Sequence, residues 1–329
     1  MTQGDTFIRY DEGRGETEIP IERLGLCSIG RGFDNTIVLG DGLSSREHAI
    51  IRRNASGHCV LTDLGSRNGT RLNNRPVTSV VQLTDGDVVQ VGNQKLYFCQ
   101  DISVLDADVG ATSEESAAAT QFFLAETLIT VLVVDIRGYT VLSQILGEKR
   151  ISEMMAEVFR GAGEILEQKK AWSQKFIGDA IMAVWAHSND RVTPADLLRV
   201  FDVIGELQDL FRPLHKRYDL LQPLEFGCGI NTGFASIGNI GSAASSDFTA
   251  MGDSVNKAFR LESATKGSGF SLFMGEQVLK SLVPPLPDDG YPEIVDLDLK
   301  GYDEKVRAYA LNFDDLSGLS ATVAKGVAQ

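Results

Sequence analysis

Two aspartates in the rear part of the chain stand where strands are predicted to end. Asp135 follows the apolar run LITVLVV, and Asp179 lies at the Gly-Asp turn of KFIGDAIMAVW. Taken singly, Asp135 could cap a helix and Asp179 could be an ordinary turn residue. Two strand-end carboxylates also suit hard divalent cations, and a pair of such ions about 3.5–4 Å apart activates a hydroxyl nucleophile and stabilises a polyphosphate leaving group. The pattern therefore predicts phosphoryl chemistry.

A third segment, FTAMGDSVNKAFRLE, predicts a helix from Asp253 to about Thr265 that carries an amide and a guanidinium. Asn256 and Arg260 are four residues apart, so they project from the same helix face. Such a pair can orient a ribose and neutralise charge on an α-phosphate in the transition state. The alternative is that both residues belong to an exposed polar face.

The front part of the chain groups arginines, a serine and an asparagine in short motifs. These motifs are Gly30-Arg31, Ser45-Arg46-Glu47-His48 and Gly65-Ser66-Arg67-Asn68-Gly69-Thr70. A phosphate dianion is bound by guanidinium forks together with hydroxyl or amide donors on loops. Alone, Asn68-Gly69 is an ordinary hairpin turn and Arg31 is a solvated side chain. The coincidence of all the motifs favours phosphopeptide binding, with His48 bracing the loops rather than touching the ligand.

The elements that must position these residues differ along the chain. Short β-rich runs separated by turn signals fill Phe7 to Gln100, which predicts an all-β sandwich. Asp106 to Thr120 has four acids, no base and otherwise small side chains, which predicts a linker. Beyond it, apolar strands alternate with helical patterns, including a long helix from about Pro194 to Tyr218 and a hairpin in LEFGCGINTGFASIGNI.

The length of 329 residues is about twice that of a typical domain of roughly 150, so two folded units are expected. We predict a multidomain chain with an all-β sandwich at 1–105 and an α+β domain at 126–312. Residues 106–125 are the predicted linker. Residues 313–329 show no usable periodicity and are predicted to be a flexible tail.

The composition limits the partners that this chain can have. Thirty-one basic and forty-five acidic residues give a net charge of −14, and such a surface repels a phosphate backbone, so no nucleic-acid partner is expected. The longest apolar stretch, Leu128 to Val134, is far shorter than the roughly 20 residues that cross a bilayer, so no membrane partner is expected either. The N-terminus lacks the apolar core of a signal peptide, which predicts a cytoplasmic protein.

The motifs of the front unit resemble those of a forkhead-associated (FHA) domain, over roughly residues 5–105. The resemblance implies a β-sandwich whose loops at one end bind a phosphothreonine peptide. It assigns phosphate contacts to Arg31 and Ser45, a reinforcing contact to Arg46 or Arg67, and the peptide backbone to Asn68. The implied partner is a phosphothreonine-containing protein or this chain's own phosphorylated linker.

The three segments of the rear unit resemble the catalytic domain of class III nucleotidyl cyclases, over about residues 126–312. The resemblance implies a ferredoxin-like α+β fold that dimerises head to tail, with active sites between two protomers of a homodimer. It assigns two Mg²⁺ or Mn²⁺ ions per site to Asp135, Asp179 and the backbone carbonyl of Ile136. It assigns the ribose and the transition state to Asn256 and Arg260, contributed across the interface.

Lys175 and Thr249 match the base-selecting pair of that family. A lysine ammonium can donate to adenine N1 and a threonine hydroxyl can accept from the adenine N6 amine, whereas guanine presents the opposite polarity. ATP is therefore the expected substrate, and 3′,5′-cyclic AMP and pyrophosphate are the expected products. Lys300 matches a position that contacts the terminal phosphates, unless it is a solvated lysine. The alternatives are a guanylate cyclase of the same fold and a non-catalytic dimeric scaffold that binds phosphopeptides.

Overall fold

The computed structural model describes residues 6–11, 15–21, 25–53, 58–77, 80–100, 123–187, 190–242, 245–280 and 292–325. The chain forms two compact units, of which the first comprises Met1–Thr127, Ser188–Asp190 and Ser236–Ala250. The predicted linker at 106–125 lies outside the described residues except for its last positions, which begin a strand at Phe123. No helix among the described residues is long and apolar enough to cross a bilayer.

Two β-sheets form a sandwich in the first unit, as the short β-rich runs predict. Its strands are β1 (Thr6–Asp11), β2 (Glu16–Pro20), β3 (Leu26–Gly30), β4 (Ile37–Val38), β5 (Ala49–Arg53), β6 (Cys59–Asp63), β7 (Thr70–Leu72), β8 (Arg75–Pro76), β9 (Val81–Gln82), β10 (Val88–Val91) and β11 (Gln94–Gln100). One sheet has the order β2-β1-β11-β10-β7-β8 and the other the order β4-β3-β5-β6-β9. Alternating apolar residues face the core, where Ile8 and Phe98 pair across β1 and β11 and are fully buried.

A mixed sheet flanked by helices forms the rear part of the chain, as the alternating pattern predicts. Its strands are β12 (Phe123–Ile136), β13 (Ser173–Ile177), β14 (Ala180–Ala186), β15 (Phe226–Ser242), β16 (Ser245–Met251), β17 (Leu272–Gly275), β18 (Glu293–Leu297) and β19 (Val306–Leu311). The order is β13-β14-β12-β15-β17-β19-β18, and β16 pairs with β15. The helices are α1 (Tyr139–Gln168), α2 (Pro194–Phe211), α3 (Leu214–Arg217), α4 (Asp253–Ala264), α5 (Glu276–Lys280) and α6 (Leu316–Lys325).

The long helix predicted from Pro194 to Tyr218 was wrong in its last part, from Arg212 onward. The structure ends α2 at Phe211 and begins the short α3 at Leu214. Pro213 lies between them and caps α3. Proline lacks a backbone N–H and its ring clashes with the preceding turn, so an unbroken helix cannot continue through this position.

The hairpin predicted within LEFGCGINTGFASIGNI was also wrong, because β15 runs straight through this segment and pairs with β16 instead. The Asn231-Thr232-Gly233 sequence has turn-forming residues, but here they serve packing against α4. The buried Asn231 side chain donates to the Ser254 carbonyl at 3.0 Å. A Cβ at Gly233 would lie 2.3 Å from Ser254 Oγ, so only glycine leaves room for that side chain.

The flexible tail predicted at 313–329 was wrong for most of its length. Phe313–Asp315 form one turn of 3₁₀ helix, and α6 follows directly. Leu316, Leu319 and Val323 are buried in the main core of the unit, and α6 packs against α2. Their spacing of three and four residues places them on one helix face. Burial of this face stabilises the helix more than the glycine and serine residues between them destabilise it.

A capping box fixes the start of α2. The Thr193 hydroxyl accepts from the backbone N–H of Asp196, and the Asp196 carboxylate accepts from the Thr193 N–H at 2.9 Å. We expect Thr193→Ala to lower the free energy of unfolding by about 1 kcal/mol, because the backbone N–H of Asp196 loses its acceptor and the Asp196 carboxylate loses the hydroxyl that donates to it. Urea unfolding would measure this change.

A matched control for that measurement lies on α1. Ser152 is exposed, and its hydroxyl donates to the Glu148 carbonyl one turn earlier at 2.7 Å. Ser152→Ala removes the same kind of atom without removing a cap, so we expect a change within about 0.5 kcal/mol. Equal losses in both variants would contradict a capping role for Thr193.

Candidate functional site

The two predicted metal carboxylates lie together at one edge of the mixed sheet. Asp135 is the penultimate residue of β12, and it stands opposite Ala180, the first residue of the antiparallel β14. Asp179 immediately precedes Ala180 in the turn after β13, and this turn is tight because Gly178 adopts a φ of 65°. The strand register therefore brings the side chains of Asp135 and Asp179 to the same place, as the sequence predicts.

The surroundings of Asp179 disfavour its negative charge. Burial raises the pKa of the Asp179 carboxyl, and the negative charge of Asp135 raises it further. A divalent cation between the two carboxylates would relieve both effects, so this donor set fits Mg²⁺ or Mn²⁺. The described residues include no cluster of three or more His, Cys, Asp or Glu side chains suited to a metal. Other ligands would have to come from backbone, substrate or water, which is compatible with the predicted use of the Ile136 carbonyl.

Lys266 contacts the carboxylate pair, although no motif in the sequence indicates it. Its Nζ lies 2.6 Å from Asp135 Oδ2, although 131 residues separate the two in the chain. Lys266 also lies 4.0 Å from Glu262 Oε2, one turn back along the chain. No local sequence pattern could connect Lys266 with Asp135, since their contact depends on where α4 ends relative to the edge of the sheet.

Glu262 is a buried acid beside this cluster. Burial and the negative charge of Asp135 raise its pKa to about 7, while Lys266 and Arg137 act in the opposite direction. Its Oε1 atom has no hydrogen-bond partner among the described residues, and the same holds for Arg137 Nη1. Beside the carboxylate pair, the described part of the chain thus has two further charged side chains, Glu262 and Arg137, each with one buried polar atom that makes no hydrogen bond.

A cavity of about 1040 Å³ opens beside the carboxylates. Asp135, Ile136 and Asp179 line it, together with Lys266. Four other predicted site residues that the structure describes lie outside its lining, namely Lys175, Asn256, Arg260 and Lys300. Within one chain, the lining of this cavity thus includes the residues predicted to hold metal and none of these four residues predicted to hold nucleotide.

Asn256 and Arg260 lie one turn apart on α4, and both are exposed. Lys300 is exposed in the turn between β18 and β19, and Lys175 is partly buried in β13. Thr249 lies in β16, and its side chain is outside the described residues. The structure thus confirms the helix that carries Asn256 and Arg260, while the roles of all five residues stay predictions.

Tyr302, which no sequence motif indicates either, connects the turn of Lys300 to α4. The Tyr302 hydroxyl donates to Asp253 Oδ1 at 2.5 Å, and Lys257 Nζ lies over the Tyr302 ring at 5.4 Å. Partial burial and the bond to the Asp253 carboxylate raise the pKa of Tyr302 to about 12, so the hydroxyl keeps its proton. This contact fixes the Lys300 turn beside the start of the helix that carries Asn256 and Arg260.

In the first unit, the predicted phosphate-binding residues lie on neighbouring loops. The Arg31 N–H donates to the Ser45 carbonyl at 2.8 Å, and the Gly32 N–H donates to the Arg46 carbonyl at 3.0 Å. A Cβ at Gly30 would lie 2.3 Å from the Arg46 carbonyl oxygen, so this close approach requires glycine. Arg31 and Arg46 are exposed and Ser45 is buried.

The third loop joins the same cluster. The Arg67 N–H donates to Ser45 Oγ at 3.0 Å, and the Asn68 side chain donates to the Leu43 carbonyl at 2.7 Å. His48 is fully buried and braces these loops, since its Nδ1 accepts from the Ser45 N–H at 2.9 Å. The proton of the neutral ring then lies on Nε2, which faces the Gly69 carbonyl at 3.2 Å. Burial lowers the pKa of His48, in keeping with that neutral form.

Known protein families account for both units. The model of the adenylate and guanylate cyclase catalytic domain matches residues 125–312, which is more than half of the chain. The chain belongs to this cyclase family. The model of the FHA domain matches residues 27–92 of the cyclase-family chain. The resemblances inferred from the sequence motifs are thereby confirmed.

Curated relatives of this cyclase-family chain match one unit or the other. An adenylate cyclase of Anabaena cylindrica is 28% identical over 183 residues, which are 55% of this chain and 36% of the relative. The glycogen accumulation regulator GarA of Mycolicibacterium smegmatis is 45% identical over 71 residues, which are 22% of this chain and 44% of the relative. The chain thus spans well under two thirds of the length of these relatives.

Solved structures similar to this member of the cyclase family also match in parts. The guanylyl cyclase Cya2 is 26% identical with a TM-score of 0.48, covering 57% of this chain and 92% of its own. The adenylyl cyclase CyaB from P. aeruginosa is 23% identical with a TM-score of 0.47, covering 57% of this chain and 95% of its own.

Proposed function

We propose that this chain is an adenylate cyclase that works as a homodimer and converts ATP to 3′,5′-cyclic AMP and pyrophosphate. The observation that carries this proposal is the division of the site residues within one chain. Asp135 and Asp179 line one cavity, whereas Asn256 and Arg260 lie exposed on α4 and outside its lining. A head-to-tail dimer unites the two halves, because each copy offers the surface that the other lacks.

In the proposed reaction the ribose 3′-hydroxyl oxygen attacks the α-phosphorus of ATP. The new O–P bond closes the cyclic phosphodiester, the bond to the bridging oxygen of the β-phosphate breaks, and the hydroxyl proton passes to solvent or to a phosphate oxygen. Asp135, Asp179 and the Ile136 carbonyl would hold the two divalent ions. When bound, these ions lower the pKa of the attacking hydroxyl and neutralise charge on the phosphates.

The chain's own polar side chains would do the rest of the work. Arg260 approaches the α-phosphate, where its guanidinium stabilises charge that grows in the transition state. Asn256, on the same face of α4, orients the ribose so that the 3′-oxygen lies in line with the leaving group. Lys300 neutralises the terminal phosphates, and the contact of Tyr302 with Asp253 holds the Lys300 turn in place.

The choice of ATP over GTP depends on Lys175 and Thr249. Lys175 can donate to adenine N1, which carries a lone pair, and Thr249 can accept from the N6 amine. Guanine presents an N–H and a carbonyl in these places, so both contacts would be mismatched. A guanylate cyclase of the same fold is the alternative, and it predicts the opposite preference.

The first unit is proposed to bind phosphothreonine through Arg31, Ser45, Arg46, Arg67 and Asn68. The loops that carry them are joined by hydrogen bonds centred on Ser45 and braced by His48. Exposed guanidinium groups around a buried hydroxyl suit a phosphate dianion. The bound partner, another protein or this chain's own phosphorylated linker, would regulate or localise the cyclase.

The test incubates the purified full-length chain with ATP or GTP in the presence of Mn²⁺ and measures the cyclic nucleotide. We expect cyclic AMP, with kcat/KM for ATP at least about 10-fold above that for GTP, because two base contacts are mismatched with guanine. A preference for GTP would favour the guanylate cyclase. No product from either nucleotide, with phosphopeptide binding intact, would leave the non-catalytic scaffold.

A further inference from the structure

An ammonium group lies against the proposed metal site in this structure. Lys266 Nζ is 2.6 Å from Asp135 Oδ2, and the two side chains are 52% and 15% exposed. The Lys266 ammonium therefore satisfies a carboxylate that would otherwise face Asp179 without a countercharge. A divalent cation bound by Asp135 would be repelled by an ammonium at this position.

A second acceptor for the same ammonium stands close by. Glu262 Oε2 lies 4.0 Å from Lys266 Nζ, and the Glu262 side chain is only 4% exposed. The Oε1 atom of Glu262 has no hydrogen-bond partner among the described residues. A small rotation of the flexible lysine side chain can thus exchange one carboxylate for another.

The backbone at this point is held fixed while the side chain has room to move. Arg137 Nη2 donates to Thr265 Oγ1, and this hydroxyl donates in turn to the Glu262 carbonyl. These bonds anchor the residue immediately before Lys266 to the loop that follows β12. Any rearrangement is thereby confined to the four-carbon stem of the lysine, which lines the open cavity.

We propose that Lys266 is a resident counter-ion of the metal site, which pairs with Asp135 in the metal-free chain and moves to Glu262 when a divalent cation binds. The inference rests on the proposed function, since it takes Asp135 and Asp179 as the metal ligands. Lys266 is then a positioning residue that orders the two carboxylates before a cation binds, at the expense of metal affinity. Glu262 is the group that makes the exchange possible.

Direct titration of the full-length chain with Mn²⁺, without nucleotide and with free Mn²⁺ measured by electron paramagnetic resonance, tests this exchange. We expect Lys266→Met to bind Mn²⁺ about 10-fold more tightly, because no ammonium has to leave Asp135. The matched control is Lys280→Met on α5. Lys280 is 54% exposed and pairs with Glu276 at the same 2.6 Å, so its loss should leave Mn²⁺ affinity unchanged.

Glu262→Gln tests the other half of the exchange. With no charged acceptor for the displaced lysine, we expect Mn²⁺ to bind about 5-fold more weakly. Combined with Lys266→Met, the same substitution should have a clearly smaller effect, since no lysine then needs a second partner. Equal effects of Glu262→Gln in both backgrounds would overturn the exchange and leave only a general contribution of charge.

Failure of this inference can be distinguished from failure of the proposed function. Mn²⁺ affinity that is unchanged or weaker in Lys266→Met, while Asp135→Asn abolishes binding, would overturn the counter-ion role alone. Wild-type Mn²⁺ affinity in Asp135→Asn would overturn the metal site itself, and the proposed two-ion reaction with it.

Discussion

Mixing the Asp135→Ala and Arg260→Ala variants should restore cyclase activity that neither variant has alone. Asp135 lines the cavity and Arg260 lies exposed on α4, outside the lining of that cavity. If each active site takes its carboxylates from one copy and its arginine from the other, a mixed dimer has one site with both defects and one site with none.

The expected size of this recovery follows from the statistics of pairing. Each single variant should fall by at least about 100-fold in kcat, because it removes either the metal ligand or the transition-state cation from both sites. Random exchange of equal amounts makes half of the dimers mixed, so about a quarter of wild-type activity should return. Cyclic AMP formation at several mixing ratios would measure it, with the optimum at equal amounts.

Two controls sharpen the complementation test. Mixing Asp135→Ala with Asp179→Ala should recover nothing, since both changes affect the half-site that lines the cavity. Arg307→Ala on β19 removes an exposed arginine whose partner is Asp296, and it should keep its activity alone. Absence of recovery with Asp135→Ala and Arg260→Ala, in samples where mixed dimers are demonstrated, would contradict a shared active site.

Arg31→Ala should weaken phosphothreonine peptide binding by about 100-fold, because it removes one member of a charge pair. Arg31 is exposed and its backbone N–H is fixed by the Ser45 carbonyl, so the substitution removes the guanidinium without releasing the loop. A phosphothreonine-centred peptide library, probed with the full-length chain, supplies the ligand, and the best-binding peptide gives the dissociation constants.

Arg9→Ala is the matched control for this second test. Arg9 lies in β1 and pairs with Glu18 on β2, so its removal changes the net charge equally without affecting the loops around Ser45. We expect it to bind the peptide as the wild type does. Equal weakening by both substitutions would indicate a general electrostatic effect, and unchanged binding in Arg31→Ala would place the phosphate elsewhere.

Sequence patterns predicted the parts of this protein whose chemistry is local. Asp135 and Asp179 were found because each follows an apolar strand, and the register of β12 with β14 then brings them together. The segment around Asn231 predicts a turn but forms a strand, since the same small and polar residues that favour turns also permit close packing of α4 on β15. Local sequence does not distinguish these two uses.

The contacts that could not be predicted are those made between distant segments. Lys266 and Tyr302 have no motif, and each becomes significant only because its partner, Asp135 or Asp253, is delivered by another element. The orphaned Glu262 oxygen likewise depends on how deeply α4 is buried. Lys266 and Glu262 can be recognised only from the structure, although they set the electrostatic surroundings of Asp135.

The helix α6 has a practical meaning for anyone who wishes to isolate the catalytic unit. The cyclase family match ends at residue 312, but Leu316, Leu319 and Val323 beyond it are buried in the main core of the unit. Ending the chain at the family boundary would remove three buried apolar side chains that pack near α2. It would expose an apolar patch that favours aggregation. A fragment that retains residues 313–325 keeps this apolar patch covered and should stay free of aggregates at high protein concentration.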